Sequence, residues 1–265
     1  MVIVDVAKRL VRQSPIGPSA VRLYRKYVRT GLGDAVGYDR DTVEVMRRVL
    51  RRDSSCVDVG AHNGNILRTM LDLSPRGTHF AFEPLPHLAA RLRVAFPTVR
   101  VHEVALSDYA GQASFIHVAN DAAYSGLRPR IYDRPDPVLQ QIAVTVTRLD
   151  DVIPPEQALA FIKIDVEGGE FHVLRGAIET IRRGRPIVVF EGGPKSTGQY
   201  GVEPGEVYEL IRGPLGGRLS TMRRWLTGLP PYAEAEFCEV WRSGAEFYFI
   251  AYPAVDTPGS GGSHP

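Results

Sequence analysis

From Ser55 onward, short apolar runs alternate with segments of helical period, and this alternation limits the chain to few folds. "SCVDVG" reads as a buried strand, "NILRTMLDL" as a helix, "THFAFEP" as a strand and "LPHLAARLRVAF" as a helix. "VRVHEVAL" follows as a third strand, and "FIKIDV" and "PIVVFEG" flank one helix, "EFHVLRGAIETIRR". Strands separated by helices imply an α/β class with a mostly parallel sheet covered on both faces. "ASFIHV" and "IAVTVTRLD" are further strands, parted by "ANDAAYSGLRPRIYDRPDP", which is long enough to be a binding loop. "GAEFYFIAYP" supplies a final strand. Upstream, Asp41 to Arg52 reads as a helix with acid at its start and arginines at its end.

Composition narrows the function class. The 265 residues, 44% hydrophobic and 23% charged, describe an ordinary globular protein, and a net charge of +2 does not argue for a nucleic-acid or membrane partner. Cys56 and Cys238 form neither a disulfide framework nor a metal spacing, which suits a reducing, cytoplasmic setting. "MVIVDVAKRLVRQ" lacks the features of a signal peptide, and no run reaches the ~18 apolar residues of a membrane helix, so no stable membrane insertion is expected. Lys8, Arg9, Arg12, Arg22, Arg25, Lys26 and Arg29 read as a solvated face rather than a membrane-binding helix, because "QSPIGPS" interrupts them. The expected organisation is an N-terminal helical extension over residues 1–52, an enzyme domain over 53–253 and a disordered Gly/Ser/Pro-rich tail over 254–265.

"VDVGAHNGN" closes the first strand. Gly60 and Gly64 permit a tight turn and close approach to a ligand, and the helix from about Asn65 offers free N–H groups. Asp58 would repel a pyrophosphate, and the three-glycine dinucleotide fingerprint is absent because Ala61-His62 follow Gly60. Glu83 ends the second strand 19 residues beyond Gly64, close to the spacing of a ribose-binding acid. Together these features point to an adenosine-type cofactor at the carboxyl edge of the sheet. Ser107 and Asp108, after the third strand, are placed to meet its adenine.

The motifs "VDVGAHNGN", "AFEP", "VALSD", "TRLDD", "FIKIDVEGGEFHVLRGA" and "VVFEGG" stand in the order seen in FkbM-type S-adenosylmethionine-dependent O-methyltransferases, which this chain resembles from about Cys56 to Gly193. The resemblance implies a Rossmann-like fold, a seven-stranded sheet of order 3-2-1-4-5-7-6 with an antiparallel last strand, and methyl transfer to a hydroxyl of a sugar, glycolipid or polyketide. It places Asp58, Gly60, Asn63 and Gly64 at the methionine half of S-adenosylmethionine, with Asp165 nearby. Glu83 then falls at the ribose and Ser107-Asp108 at the adenine. Ser125-Gly126-Leu127 resembles that family's Ser-rich loop. His62 stands where such proteins often carry Asn. The segment from Thr197 to Trp241 matches no known motif.

Methyl transfer from a sulfonium requires an aligned acceptor oxygen and a group to take its proton. Asp165 ends the fourth strand of the sheet and Glu191 the fifth, so both emerge at one edge, and Glu167 lies close by. These three are the candidate catalytic acids. Asp165 and Glu191 are also the candidate ligands for Mg²⁺, which would lower the hydroxyl's pKa; a metal-free carboxylate base is the alternative. Lys163, inside a buried strand, must pair with Asp165 or Glu191. Glu170 reads as a helix-starting acid, and His102, His117 and His172 as packing histidines. Arg128 and Arg130 read as solvated loop charges. "LPPYAE" lacks the Asn and the position of a base-flipping motif, and Trp225 and Trp241 read as core or acceptor-pocket walls. The expected partner is a small hydroxylated acceptor, with no nucleic acid; a homodimer stays open. The rival readings are an NAD(P)-linked oxidoreductase and a non-catalytic carbohydrate-binding relative.

Overall fold

The computed structural model describes residues 34–130, 132 and 136–254, so the basic N-terminal stretch and the tail lie outside the described residues. Seven strands form the main sheet: β1 (Cys56–Val59), β2 (His79–Phe82), β3 (Arg100–His102), β7 (Phe161–Ile164), β8 (Ile187–Glu191), β9 (Gly217–Thr221) and β10 (Tyr248–Pro253). Their order is β3-β2-β1-β7-β8-β10-β9, with β10 antiparallel to both neighbours. That is the topology the resemblance implied. A second sheet of three strands, β4 (Ala105–Leu106), β6 (Leu139–Thr147) and β5 (Gly111–Val118), stands beside it.

Burial on both faces explains the apolar runs. Val57, Val59, Phe80, Phe82, Ile162 and Ile164 face one core, while Cys56, Ala81, Phe161 and Val189 face the other. Alternation therefore puts Asp58 and Lys163 on the second face, at its carboxyl end. The first core is covered by α5 (Glu170–Arg175), α6 (Ile178–Gly184), α8 (Pro204–Arg212) and α10 (Glu234–Ser243). The second is covered by α1 (Asp34–Val49), α2 (Asn65–Leu73), α3 (Pro86–Ala95) and α9 (Met222–Leu226). Two short helices, α4 (Leu149–Val152) and α7 (Pro194–Thr197), complete the set.

Several elements differ from the sequence expectation. "VRVHEVAL" is two strands, because the chain leaves the main sheet after His102 and pairs Ala105-Leu106 with β6. The single helix expected after "FIKIDV" is broken at Gly176-Ala177. There the backbone crosses the Ser107 carbonyl so closely that a Cβ on Gly176 would sit 2.0 Å from its oxygen. The upstream helix starts at Asp34 and stops at Val49, rather than spanning 41–52. β9 was missed because "GRLST" carries little apolar signal, although Leu219, Ser220 and Thr221 are buried. Trp241 packs on Phe237 and Phe249 in the core.

Glu170 does more than start a helix. It is 1% exposed, and its Oε1 accepts from the amides of Val166 (2.9 Å) and Gly168 (3.1 Å), stapling the turn that follows β7. Burial pushes its carboxyl from the usual 4.5 to about 7, against the pull of those amides. The folded state therefore binds a proton more tightly than the unfolded chain. Its stabilising contribution is full below pH 4.5 and is lost as pH rises toward 7. Glu170→Gln keeps an acceptor oxygen without the charge. Relative to the parent it should gain on the order of 3 kcal/mol between pH 4.5 and 8, as read from urea unfolding at a series of pH values. A parallel pH profile for the two proteins would contradict this assignment.

Candidate active site

A cavity of about 610 Å³ opens at the carboxyl edge of β1, β2 and β7. Asp58, Gly60, Asn63, Glu83, Ser107, Lys163, Asp165 and Glu167 all line it. Each lies in the last residues of a strand or in the turn that follows it. Such an edge is where open α/β sheets bind ligands.

The turn after β1 is fixed by close contacts. Gly60 has φ +74°, and a Cβ there would lie 2.0 Å from the Asp165 carbonyl oxygen, so only glycine lets the ends of β1 and β7 meet. Gly64 also has φ +74°, but its hydrogen faces Phe96 and Leu92 rather than the cavity. Its role is to bring α2 against α3, and the ligand-lining position assigned to it from the sequence is not observed. His62 adopts φ 48° and turns its amide N–H onto Glu83 Oε2 at 2.8 Å. The Leu85 amide donates to Oε1 at 3.0 Å, so both carboxylate oxygens of Glu83 are held by backbone. Burial pushes the Glu83 carboxyl up, and these two amides oppose it.

Parallel register sets Lys163 directly beside Asp58 on the neighbouring strand. The Lys163 ammonium lies 3.5 Å from Asp58 Oδ1 and 3.5 Å from Asp165 Oδ2, and donates to the Gly60 carbonyl at 3.2 Å. The pairing with Asp165 matches the sequence expectation; that with Asp58 is additional. Asp58 is fully buried, which raises its carboxyl pKa, while Lys163 pulls it down. Tyr248, from β10, donates its hydroxyl to Asp165 Oδ2 at 2.7 Å. Burial, followed by the fields of Asp165 and Glu191, pushes that phenol well above its ordinary value, so it remains a donor. Tyr248 lies opposite Glu191 in the antiparallel register, which brings it to this point.

One carboxylate oxygen from each of Asp165, Glu167 and Glu191 lies within 4.8 Å of the others. Glu167 holds φ 62°, an uncommon conformation for a side-chain-bearing residue, and the neighbouring Gly168 is pressed against the Ser196 carbonyl. Arg130 pairs with Glu167, both side chains being nearly buried, and lies over the Tyr124 ring. Arg128 donates to the Gln199 carbonyl at 3.1 Å and covers the Tyr200 ring. Arg130 is not the solvated charge expected from the sequence, whereas Arg128 is exposed as expected but tethered. Arg130 ties the loop after β5, whose Ala119–Ala123, Ser125 and Leu127 form one cavity wall, to the turn after β7, and Arg128 ties it to the segment after α7.

Ser107 lines the cavity, but Asp108 does not; it turns toward Arg175 at 3.4 Å. His172 lines the cavity against Tyr200 and is held toward neutrality by burial. His102 stacks on Phe82, and His117 lies 5.5 Å from His87. From α1, Asp39, Thr42 and Val43 close the cavity on the side of Tyr248. Tyr38 bonds Glu246 and packs its ring 5.3 Å from that of Tyr248. Sequence reasoning missed Tyr248, Tyr38 and Asp39, which no local motif marks. Among the described residues no helix is long and apolar enough to cross a membrane.

The arrangement can hold a polar, partly cationic ligand along β1 and β2 and present it to Asp165 and Glu167 after β7; Glu191, the last residue of β8, stands near these two but does not line the cavity. Comparison with known proteins agrees with that capacity. Residues 58–218 match the methyltransferase FkbM domain model. A 2-O-methyltransferase, NoeI of Sinorhizobium fredii, is 30% identical in an alignment of 160 residues that covers 54% of this chain and 65% of NoeI. The chain thus spans slightly under two thirds of that relative. Among solved structures, a methyltransferase FkbM from Methylobacillus flagellatus superposes with TM-score 0.47 at 14% identity, over 77% of this chain and 44% of its own. A TehB-like methyltransferase from Corynebacterium glutamicum gives 0.44 at 12%, over 89% and 97%. With the family model covering more than half of its length, the chain belongs to the FkbM methyltransferase domain family.

Proposed function

We propose that this chain moves a methyl group from S-adenosylmethionine to a hydroxyl of a small metabolite, such as a sugar, glycolipid or polyketide. One observation carries the reading. A single cavity joins Asp58, Gly60, Glu83 and Ser107 at one set of strand ends to Asp165 and Glu167 at another. The residues fit the cofactor. Asp58 puts a buried carboxylate, paired with Lys163, beside the β1 turn, which suits a zwitterionic ligand better than a pyrophosphate. The similar protein NoeI is a 2-O-methyltransferase, which supports an oxygen acceptor.

S-adenosylmethionine, when bound, supplies a methyl group already activated on a sulfonium. The chain's residues supply orientation and proton transfer. Glu83, pinned by two amides, presents lone pairs to ribose hydroxyls. Asp165, fixed by Tyr248 and Lys163, would take the acceptor hydroxyl's proton on its carboxylate, and Glu167, fixed by Arg130, would hold the acceptor beside it. Glu191 orients the acceptor beside them.

A second reading is favoured by the convergence of Asp165, Glu167 and Glu191. Three carboxylates at this spacing suit a hard divalent cation, which Asp165 and Glu191 would hold and which would acidify the hydroxyl.

Calorimetric titration with S-adenosylhomocysteine should give saturable binding, and NADH none. Glu83→Ala should weaken the former by about tenfold or more. Binding of NADH alone would overturn the methyltransferase reading in favour of an oxidoreductase. With a methyl-labelled cofactor and a panel of glycosides and hydroxylated polyketides, Asp165→Asn should cut label transfer by about 100-fold. If that variant retains full transfer, Asp165 is not the base. For the cation, Mn²⁺ titration of the chelator-treated protein should give stoichiometric binding that Asp165→Asn removes. Absence of binding at millimolar Mn²⁺ would eliminate the metal reading.

A further inference from the structure

Lys163 is a buried ammonium on the wall of the cavity, about as far from Asp58 as from Asp165, with its remaining reach taken by the Gly60 carbonyl. Its side chain is 10% exposed, so this charge interacts with its neighbours through protein rather than bulk water. Two carboxylates in such a place, without a resident cation, would attract any cationic ligand strongly and a neutral one not at all. We infer that Lys163 sets the balance between the sulfonium form of the cofactor and its neutral thioether product by cancelling in advance one of the two negative charges of Asp58 and Asp165. The inference rests on the reading of this cavity as an S-adenosylmethionine site.

The charge balance of the reaction gives this a purpose. As the methyl leaves sulfur for oxygen, the sulfonium loses its positive charge, and the acceptor's proton moves to a carboxylate, which loses its negative charge. An unscreened Asp58–Asp165 pair would stabilise the sulfonium more than the transition state, where that charge is already dispersed. Stabilisation of the ground state in this way slows the chemical step. It would also leave the neutral product bound far more weakly than the substrate. A fixed ammonium between the two acids reduces both effects. Strand register holds it there, since Lys163 is the direct neighbour of Asp58 in the β1–β7 pair.

The test compares two probes by calorimetry in chelator at pH 8. S-adenosylhomocysteine is neutral at sulfur, whereas sinefungin carries an amine-bearing carbon in place of the methylated sulfur. The parent should bind both with dissociation constants within about tenfold. In Lys163→Met the ratio should move toward sinefungin by about tenfold or more, and in Lys163→Arg it should stay near the parental value. Thermal melting identifies which variants are folded. If Lys163→Met does not fold, Asp58→Asn carries the test, because loss of one acid leaves Lys163 and Asp165 balanced, without the residual negative charge, and should move the ratio about fivefold toward S-adenosylhomocysteine. An unchanged ratio in the folded variant overturns the inference while leaving the cofactor site intact. Binding of neither probe to the parent overturns both.

Discussion

The Lys163 ammonium is the interaction on which the rest of the site depends. A parallel sheet covered on both faces leaves no water at its centre, so a charge there persists only if it is paired. Asp58 is 1% exposed and Lys163 8%, and each supplies what the other needs. The pair also ties the β1 turn to the end of β7, because the same ammonium holds the Gly60 carbonyl while Gly60 presses on the Asp165 backbone. Loss of Lys163 would leave two carboxylates without their cation, which is far more damaging than loss of a surface ion pair.

Around that centre, Asp165 and Glu167 are each held by a side chain from outside their own segment. Asp165 takes a hydroxyl from β10, Glu167 a guanidinium from the loop after β5, and the turn between them the Glu170 staple. α1 adds to this through Tyr38, which packs on Tyr248 and bonds Glu246. The carboxylates therefore sit on a turn that is short in sequence but supported from four directions, which is how an active site resists relaxing when its ligand leaves.

How much of this was legible follows from the range of each interaction. The β1–turn–α2 unit could be read directly, since apolar run, glycine turn and helix period are neighbours in the chain, and "NILRTMLDL" is α2 residue for residue. The sheet order came from the family resemblance, because nothing local encodes which strands lie side by side. For Lys163 the need for a partner was clear from burial alone. Its pairing with Asp58 was not, because that depends on a register between strands more than 100 residues apart. Tyr248 and Arg130 reach their carboxylates across 83 and 37 positions, and neither sits in a motif. Gly176 looked helical by composition, and only the proximity of the Ser107 carbonyl shows why the helix breaks there. Asp108 was misplaced for a similar reason: its partner, Arg175, lies on a helix whose direction the sequence does not specify.

The small sheet of β4, β5 and β6 has a consequence for how this scaffold can change. It hangs from the main sheet between β3 and β7, and the loop after β5 reaches the cavity without contributing a strand to the central seven. Substitution there alters a wall of the pocket while leaving the Lys163 network and the two cores of the main sheet in place; only the small sheet's own cluster, on which Ala122 and Leu127 pack, is touched. Selection can thus remodel what the pocket admits without re-solving how the protein folds, and a directed library confined to Ala119–Ala123 and Leu127 would sample the same freedom in the laboratory.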